Sequence, residues 1–255
     1  MAIFAVLFEG GGELGHYQVV DCIYGGRPAR VLYSGNRLAA QSGMARDGKS
    51  ELLFDYNQRF LELIRGLIPK RLLLIGGGAF TLPKVLMDEF PRMSIDVVEP
   101  DAKLPDIAQA YFDFKPNKRM HMYHDDGRNF LTNSAAAYDV IVIDAFENTE
   151  VPLSLQTAEA VRSLRQHLRP GGVVAINVIA AYSGERSRVL RRVVAAFQDA
   201  FPEVRIFPAS PSLSLWTPQN FICVGYDGQL DLEPYVRYAA QDLPAVETDD
   251  LIRDA

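Results

Sequence analysis

Acidic residues stand at the ends of three short apolar runs: Glu99 after Ile95-Asp96-Val97-Val98, Asp125 and Asp126 after Met120-His121-Met122-Tyr123, and Asp144 after Val140-Ile141-Val142-Ile143. A fourth run, Leu72-Leu73-Leu74-Ile75, ends instead in Gly76-Gly77-Gly78. Glycines there let the backbone turn tightly and let a ligand lie against it. A carboxylate at Glu99, about twenty residues beyond the glycine turn, accepts hydrogen bonds from two ribose hydroxyls. An acid at Asp125 or Asp126 accepts from an adenine amino group, although Asp126 also reads as the cap of a helix over Arg128–Leu131. Ligands bind at the carboxyl ends of strands in open α/β sheets, so Asp144 falls beside the reacting end of such a nucleoside.

The loop is a poor dinucleotide fingerprint. Thr81 stands where the third glycine belongs, and a pyrophosphate would seek the helix N-terminus. A ligand with a ribose and no phosphate fits better, which points to S-adenosylmethionine or a relative.

These residues need a parallel sheet to align them, and the pattern predicts one. Strands are expected at Arg71–Ile75, Ser94–Val98, Met120–Tyr123, Asp139–Ile143 and Val173–Val178. Helices are expected at Leu82–Phe90, at Thr157–His167 (ended by Arg169-Pro170-Gly171-Gly172) and at Arg186–Phe201. Alternation of this kind indicates a mainly parallel, doubly wound sheet. Val204–Phe207 and Phe221–Tyr226 have no helix between them, which suggests an antiparallel edge strand.

Residues 1–50 differ in texture. Glycine-rich breaks at Gly10-Gly11-Gly12, Gly25-Gly26, Gly35-Asn36 and Asp47-Gly48 flank β-prone runs at Tyr17–Tyr24 and Arg30–Tyr33. They read as a small antiparallel hairpin region. The nucleoside-binding domain is expected over residues 51–255 and opens with a helix at Glu51–Leu67, closed by Pro69.

Composition sets the boundaries. The chain has 255 residues, 48% hydrophobic and 23% charged, enough to bury a full core without staples. Cys22 and Cys223 lie in apolar segments and read as buried thiols of a reducing compartment. A net charge of -6 argues against a nucleic-acid partner. No run approaches the roughly 18 apolar residues of a membrane span, and Met1–Phe8 lacks the features of a signal peptide. The expected setting is the cytoplasm.

Taken together, Tyr17-Gln18, Phe54-Asp55-Tyr56-Asn57, Gly76-Gly77-Gly78, Val97-Val98-Glu99, Asp125-Asp126-Gly127, Tyr138 through Asp144 and Arg169-Pro170-Gly171-Gly172 resemble the spermidine synthase family and its methyltransferase-folded relatives. The resemblance implies a Rossmann-like, seven-stranded S-adenosylmethionine-methyltransferase fold carrying a hairpin-rich N-terminal region, assembled as a homodimer or homotetramer. It implies decarboxylated S-adenosylmethionine as donor and a small amine such as putrescine as acceptor. By position Glu99 would hold the ribose, Asp126 the adenine, Gln18 the donor's chain, and Asp144 the reaction centre. Three positions depart from the pattern: Ala79 and Phe80 follow the glycines where an acid is usual, Asn57-Gln58 replaces a His-Glu pair, and Ser210 replaces a tyrosine.

The expected reaction is attack by an amine on a carbon beside a sulfonium. Asp144 orients the amine and helps take its proton, while Tyr56 and Glu147 bind its far end, although Glu147 also reads as a plain loop charge. With no acid at Ala79, the intact methyl donor becomes a rival, and a non-catalytic nucleoside sensor is the third reading. His121 and His124 lack partners at metal-ligand spacing, so no metal is expected. His16 and His167 read as surface residues, Arg186, Arg188, Arg191 and Arg192 as the solvated face of a helix, and Thr248-Asp249-Asp250 as a flexible acidic tail.

Overall fold

The computed structural model describes residues 2–35, 39–48, 52–147, 150–210, 212–228, 230, 242 and 244–254. The expected boundary at residues 50 and 51 therefore lies outside the described residues, as do Asn36 and Pro211.

Four strands, β1 (Ala2–Gly11), β2 (His16–Tyr24), β3 (Arg27–Ser34) and β4 (Ala39–Ala45), form an antiparallel sheet in chain order. Gly10 and Gly11 belong to β1, and the turn lies beyond them. The sequence gives no hint of β4 because Ala39-Ala40-Gln41-Ser42-Gly43-Met44-Ala45 is poor in β-branched and aromatic residues. Packing imposes it: a Cβ on Gly43 would meet Leu53 at 2.6 Å, so only glycine lets the strand approach the segment that follows.

The second sheet has seven strands. Helix α1 (Asp55–Leu67) leads into β5 (Arg71–Ile75), α2 (Thr81–Glu89), β6 (Ser94–Val98), α3 (Lys103–Tyr111), β7 (Met120–Tyr123), α4 (Gly127–Asn133), β8 (Tyr138–Ile143), α5 (Ala158–Gln166), β9 (Leu168–Ala180), α6 (Arg188–Ala200), β10 (Glu203–Pro208) and β11 (Gln219–Tyr226). The spatial order is β10-β11-β9-β8-β5-β6-β7. From Leu72 in β5 and Val140 in β8 onward these strands are buried on both faces, which is why Leu72–Ile75 and Val140–Ile143 are unbroken apolar runs. The antiparallel strand is β11, which lies second from the edge between β10 and β9 and corrects the expected edge placement. A hairpin return lets it fill the place beside β9, leaving β10 outermost.

Other expectations also change. Arg169-Pro170-Gly171 bulges within β9 rather than preceding it: Tyr138 pairs with Leu168 and Val140 with Val173, and Gly171 takes φ +77. Helix α3 escapes the periodicity reading because only Leu104, Ile107 and Ala108 are buried. His167 is 9% exposed, with its ring nitrogens against the carbonyls of Ser163 and Ser134. The acidic tail folds into a short turn at Thr248–Asp250, where Asp250 is buried and pairs with Arg191 at 2.8 Å. Arg191 is thus an anchor for the C-terminal segment, not one more solvated arginine. Cys22 and Cys223 are buried free thiols. Among the described residues no helix is long and apolar enough to cross a membrane.

Apolar clusters fill both faces of the large sheet, and a third cluster fastens the small sheet to it. That third cluster joins Tyr17, Val19, Leu32 and Met44 to Ala79, Leu104, Ile107 and Phe112. The small sheet therefore covers the glycine turn after β5.

Candidate active site

The chain leaves β5 at Ile75 and turns on glycine. Gly76 has φ +96 and Gly78 φ +52, both in the left-handed region that costs a side-chain-bearing residue dearly. Their neighbours leave no room either. A Cβ on Gly76 would lie 2.3 Å from the Asp144 carbonyl oxygen, and one on Gly78 would lie 2.5 Å from Ser42 Oγ. Gly77 lies over the Phe80 ring, which a Cβ would meet at 2.8 Å. Phe80, next to the departure at Ala79, holds φ +56 and stacks on Phe114 at 4.7 Å as an apolar plug beneath the turn. We expect Gly76→Ala to cost about 3 kcal/mol or more, since strain and collision add. Urea unfolding measures it, and a loss below about 1 kcal/mol would show that the β5 and β8 ends have slack.

Glu99 follows β6 directly and is 8% exposed. Its Oε2 accepts the amides of Gly77 at 2.8 Å and Gly78 at 3.2 Å, while Oε1 accepts the amide of Asp101 at 3.0 Å. Burial pushes this carboxyl above the ordinary glutamate range, and the three amides oppose the shift. Each carboxylate oxygen can accept two hydrogen bonds, so Oε1 keeps one acceptor site open.

Asp101, fully buried, ties the small sheet to this corner. It accepts the Leu14 amide, the Tyr17 hydroxyl at 2.8 Å and the Lys103 amide. Burial alone would raise its carboxyl, but those partners hold it below the usual range. The tip of the β1–β2 hairpin also reaches β7 through Glu13, whose Oε2 lies 2.9 Å from His124 Nε2. Sequence reading missed this role for Asp101 because its partners in the small sheet, Leu14 and Tyr17, lie more than eighty positions away.

Asp126 caps α4 by accepting the amides of Arg128 and Asn129, and Asp125 accepts from the Asp126 amide and the Asn129 side chain. Both lie at the rim just after β7. Glu147 is exposed and pairs through its backbone with Glu150, and it takes no part in the contacts around Asp144.

Asp144 follows β8, with its amide bonded to the Ile75 carbonyl at 2.8 Å. Its Oδ1 accepts Asn177 Nδ2 at 2.9 Å, and the oxygen of that amide accepts Asn220 Nδ2 at 2.9 Å. Tyr56, at the start of α1 and 8% exposed, sets its hydroxyl against the same carboxylate. Burial pushes Asp144 up to about 6, against the hydrogen bonds from Asn177 and Tyr56. Burial likewise pushes the Tyr56 phenol up, and the Asp144 charge adds to it. Asn177 carried a visible signal, as the one polar residue inside Val173-Val174-Ala175-Ile176-Asn177-Val178.

The structure thus brings Glu99, Asp144 and the glycine turn together at adjacent strand ends. Gln41 Oε1 on β4 and Asn57 Oδ1 on α1, both on residues that contact Tyr56, are buried without a protein partner, as is Gln18 Oε1 on β2. Gln18 is 3% exposed, and its Nε2 donates to Glu9. Ser42 joins the site unannounced, its Oγ accepting the Ala79 amide at 3.0 Å.

Comparison with known proteins bears on this geometry. A family model for the spermine/spermidine synthase domain matches residues 61–212. A probable polyamine aminopropyl transferase of Bifidobacterium longum is 36% identical over 115 residues, covering 45% of this chain and 25% of that protein. A polyamine aminopropyltransferase of Streptococcus uberis is 31% identical over 167 residues, covering 62% of this chain and 56% of that one. The chain thus spans between a quarter and about half the length of these relatives. A crystal structure of a probable spermidine synthase from Corynebacterium glutamicum superimposes with TM-score 0.75 at 22% identity, over 89% of this chain and 82% of that one, and shows the shared fold.

Proposed function

The chain belongs to the spermine/spermidine synthase domain family, and from that premise we propose that it transfers an aminopropyl group from decarboxylated S-adenosylmethionine to a small amine such as putrescine. One observation carries the reading: two carboxylates, the buried Glu99 and the half-buried Asp144, flank a glycine turn that cannot carry a side chain. In this reading the donor's adenosine lies along Gly76–Gly78 with its ribose on Glu99 and its adenine toward Asp125 and Asp126. Gln18 borders the donor's chain, and Tyr56 and Glu147 serve the acceptor. A homodimer or homotetramer in the cytoplasm belongs to the same proposal.

The chemistry asks little of the leaving group. The amine lone pair forms the new nitrogen–carbon bond while the carbon–sulfur pair returns to sulfur, giving a neutral thioether. The amine is the difficulty, because a pKa near 10 leaves it protonated and unable to attack. Asp144 at about 6 is ionised at neutral pH, so it attracts the ammonium. It is also a better proton acceptor than an unperturbed aspartate. Holding the nitrogen in line with the carbon–sulfur bond is the larger contribution, since oriented reactants can supply roughly 7–11 kcal/mol.

The test is mass spectrometry of products from the protein with decarboxylated S-adenosylmethionine and a panel of amines, beside calorimetry with both donors. An aminopropylated amine and tighter binding of the decarboxylated donor support the proposal. Tighter binding of intact S-adenosylmethionine with methylated product would replace it with methyl transfer, and binding without product would favour a nucleoside sensor.

A further inference from the structure

We propose that Asn220 is a positioning residue for the reaction, acting through Asn177 to hold Asp144 in the orientation that receives the amine and in its ionised state. The inference rests on the proposed transfer and deepens it, naming a residue that neither touches substrate nor follows from any motif.

The argument begins with donors and acceptors. An ionised carboxylate can only accept hydrogen bonds, so Asn177 must turn its NH2 group toward Asp144 Oδ1, 2.9 Å away. That leaves the Asn177 carbonyl oxygen facing the other way, where Asn220 Nδ2 meets it at 2.9 Å. Asn177 has no exposure to solvent, so no water competes for either end. Flipping its amide would set oxygen against oxygen at Asp144 and NH2 against NH2 at Asn220. Asn220 therefore removes the alternative orientation of Asn177. A chain of amides pointing one way also polarises each member, which strengthens the final bond to the charge.

The strand register makes this arrangement possible. Asn177 lies on β9 opposite Ile222, and Asn220 on β11 lies opposite Ile179, two residues along each strand and on the same face of the sheet. Asp144 leaves β8, which pairs with the other side of β9. Three adjacent strands thus hand a polar chain across the sheet into the site. The backbone that carries Asn220 is itself held, because its main-chain carbonyl accepts the Ala209 amide at 2.8 Å. Among the described residues the groups acting on Asp144 are Asn177 from β9 and Tyr56 from α1. Tyr56 acts from a separate element, so Asn177 and Asn220 can be changed while its hydrogen bond is kept.

The experiment compares the wild type with Asn220→Ala and Asn177→Ala, reading two quantities. One is the ionisation midpoint of Asp144, followed by isotope-edited infrared spectroscopy of its carboxyl stretch without substrate. The other is the pH profile of kcat for aminopropyl transfer. Asn220→Ala is expected to raise the midpoint by about half a pH unit, and Asn177→Ala by about one or more, since a hydrogen bond to a charge is worth that much. The acid limb of kcat should move up by the same amount, which by itself lowers kcat at pH 7 by less than about twofold, while the lost orientation of Asp144 should lower the kcat plateau about tenfold with donor affinity unchanged. Should Asn220→Ala fail to fold, Asn220→Ser, whose shorter arm cannot span the gap, carries the same test. An unshifted Asp144 midpoint in a folded Asn220 variant would overturn the inference. A shifted midpoint in a protein that makes no aminopropylated product would sink the proposed function and leave the amide chain standing.

Discussion

Asp144→Asn is expected to lower turnover by about a thousandfold while donor binding survives, because the nucleophile loses the anion that orients it and takes its proton. The same substitution is expected to make the free protein more stable at pH 7.5. Burial raises the Asp144 carboxyl from 3.8 to about 6. The folded chain therefore binds this proton more tightly than the unfolded chain does. The stabilisation from the neutral form is fully present below about pH 4 and is lost as pH rises through about 6. At neutral pH the buried charge costs on the order of 2 kcal/mol, which the neutral amide avoids. Thermal melts should show Asp144→Asn above the wild type at pH 7.5 and level with it near pH 4. Retained turnover would remove Asp144 from the mechanism, and a melting gap of equal size at both pH values would show that its charge is not the cause.

The second large effect concerns the other end of the site. Glu99→Gln should weaken donor binding about a hundredfold, with a smaller effect on the rate at saturating donor. A glutamine keeps one acceptor oxygen and replaces the other by NH2. Gly77 and Gly78 present amides on one side of the present carboxylate and Asp101 presents one on the other. Whichever way the amide lies, NH2 faces N–H, and both the glycine turn and the ribose site lose alignment. Calorimetry with the donor reads the affinity, and unchanged affinity would remove Glu99 from the nucleoside site. Here substitution should also lower the melting temperature, in contrast to Asp144→Asn. One carboxylate holds its own loop in place, whereas the other is held at a cost that the proposed transfer would account for.

The sequence by itself determined a good deal. Strands β5, β6 and β7 begin and end where the sequence pattern places them, most sharply in β5, where Leu72–Ile75 is buried on both faces and leaves no polar residue to blur the boundary. The acids after β6 and β8 were legible for the same reason, as charges abruptly following a buried run. The glycine turn announced itself too, since positive φ and close approach admit few other residues.

Tertiary structure decided the rest. Nothing local in Ala39–Ala45 asks for a strand; the sheet edge of β3 and the contact of Gly43 with Leu53 impose one. Asp96 reads as an ordinary charge in a strand, yet it is fully buried because Arg71, His121 and Tyr138, from three other strands, each hydrogen-bond to it. The tail at Thr248–Asp250 reads as solvated acid until Arg191 is brought beside Asp250. Asn177 was visible as an oddity, but its purpose depended on Asn220, 43 positions away on a strand of opposite direction. Periodicity reports which face of an element is apolar. Which polar side chain meets which depends on register between strands, and that is set by the packing of the whole sheet.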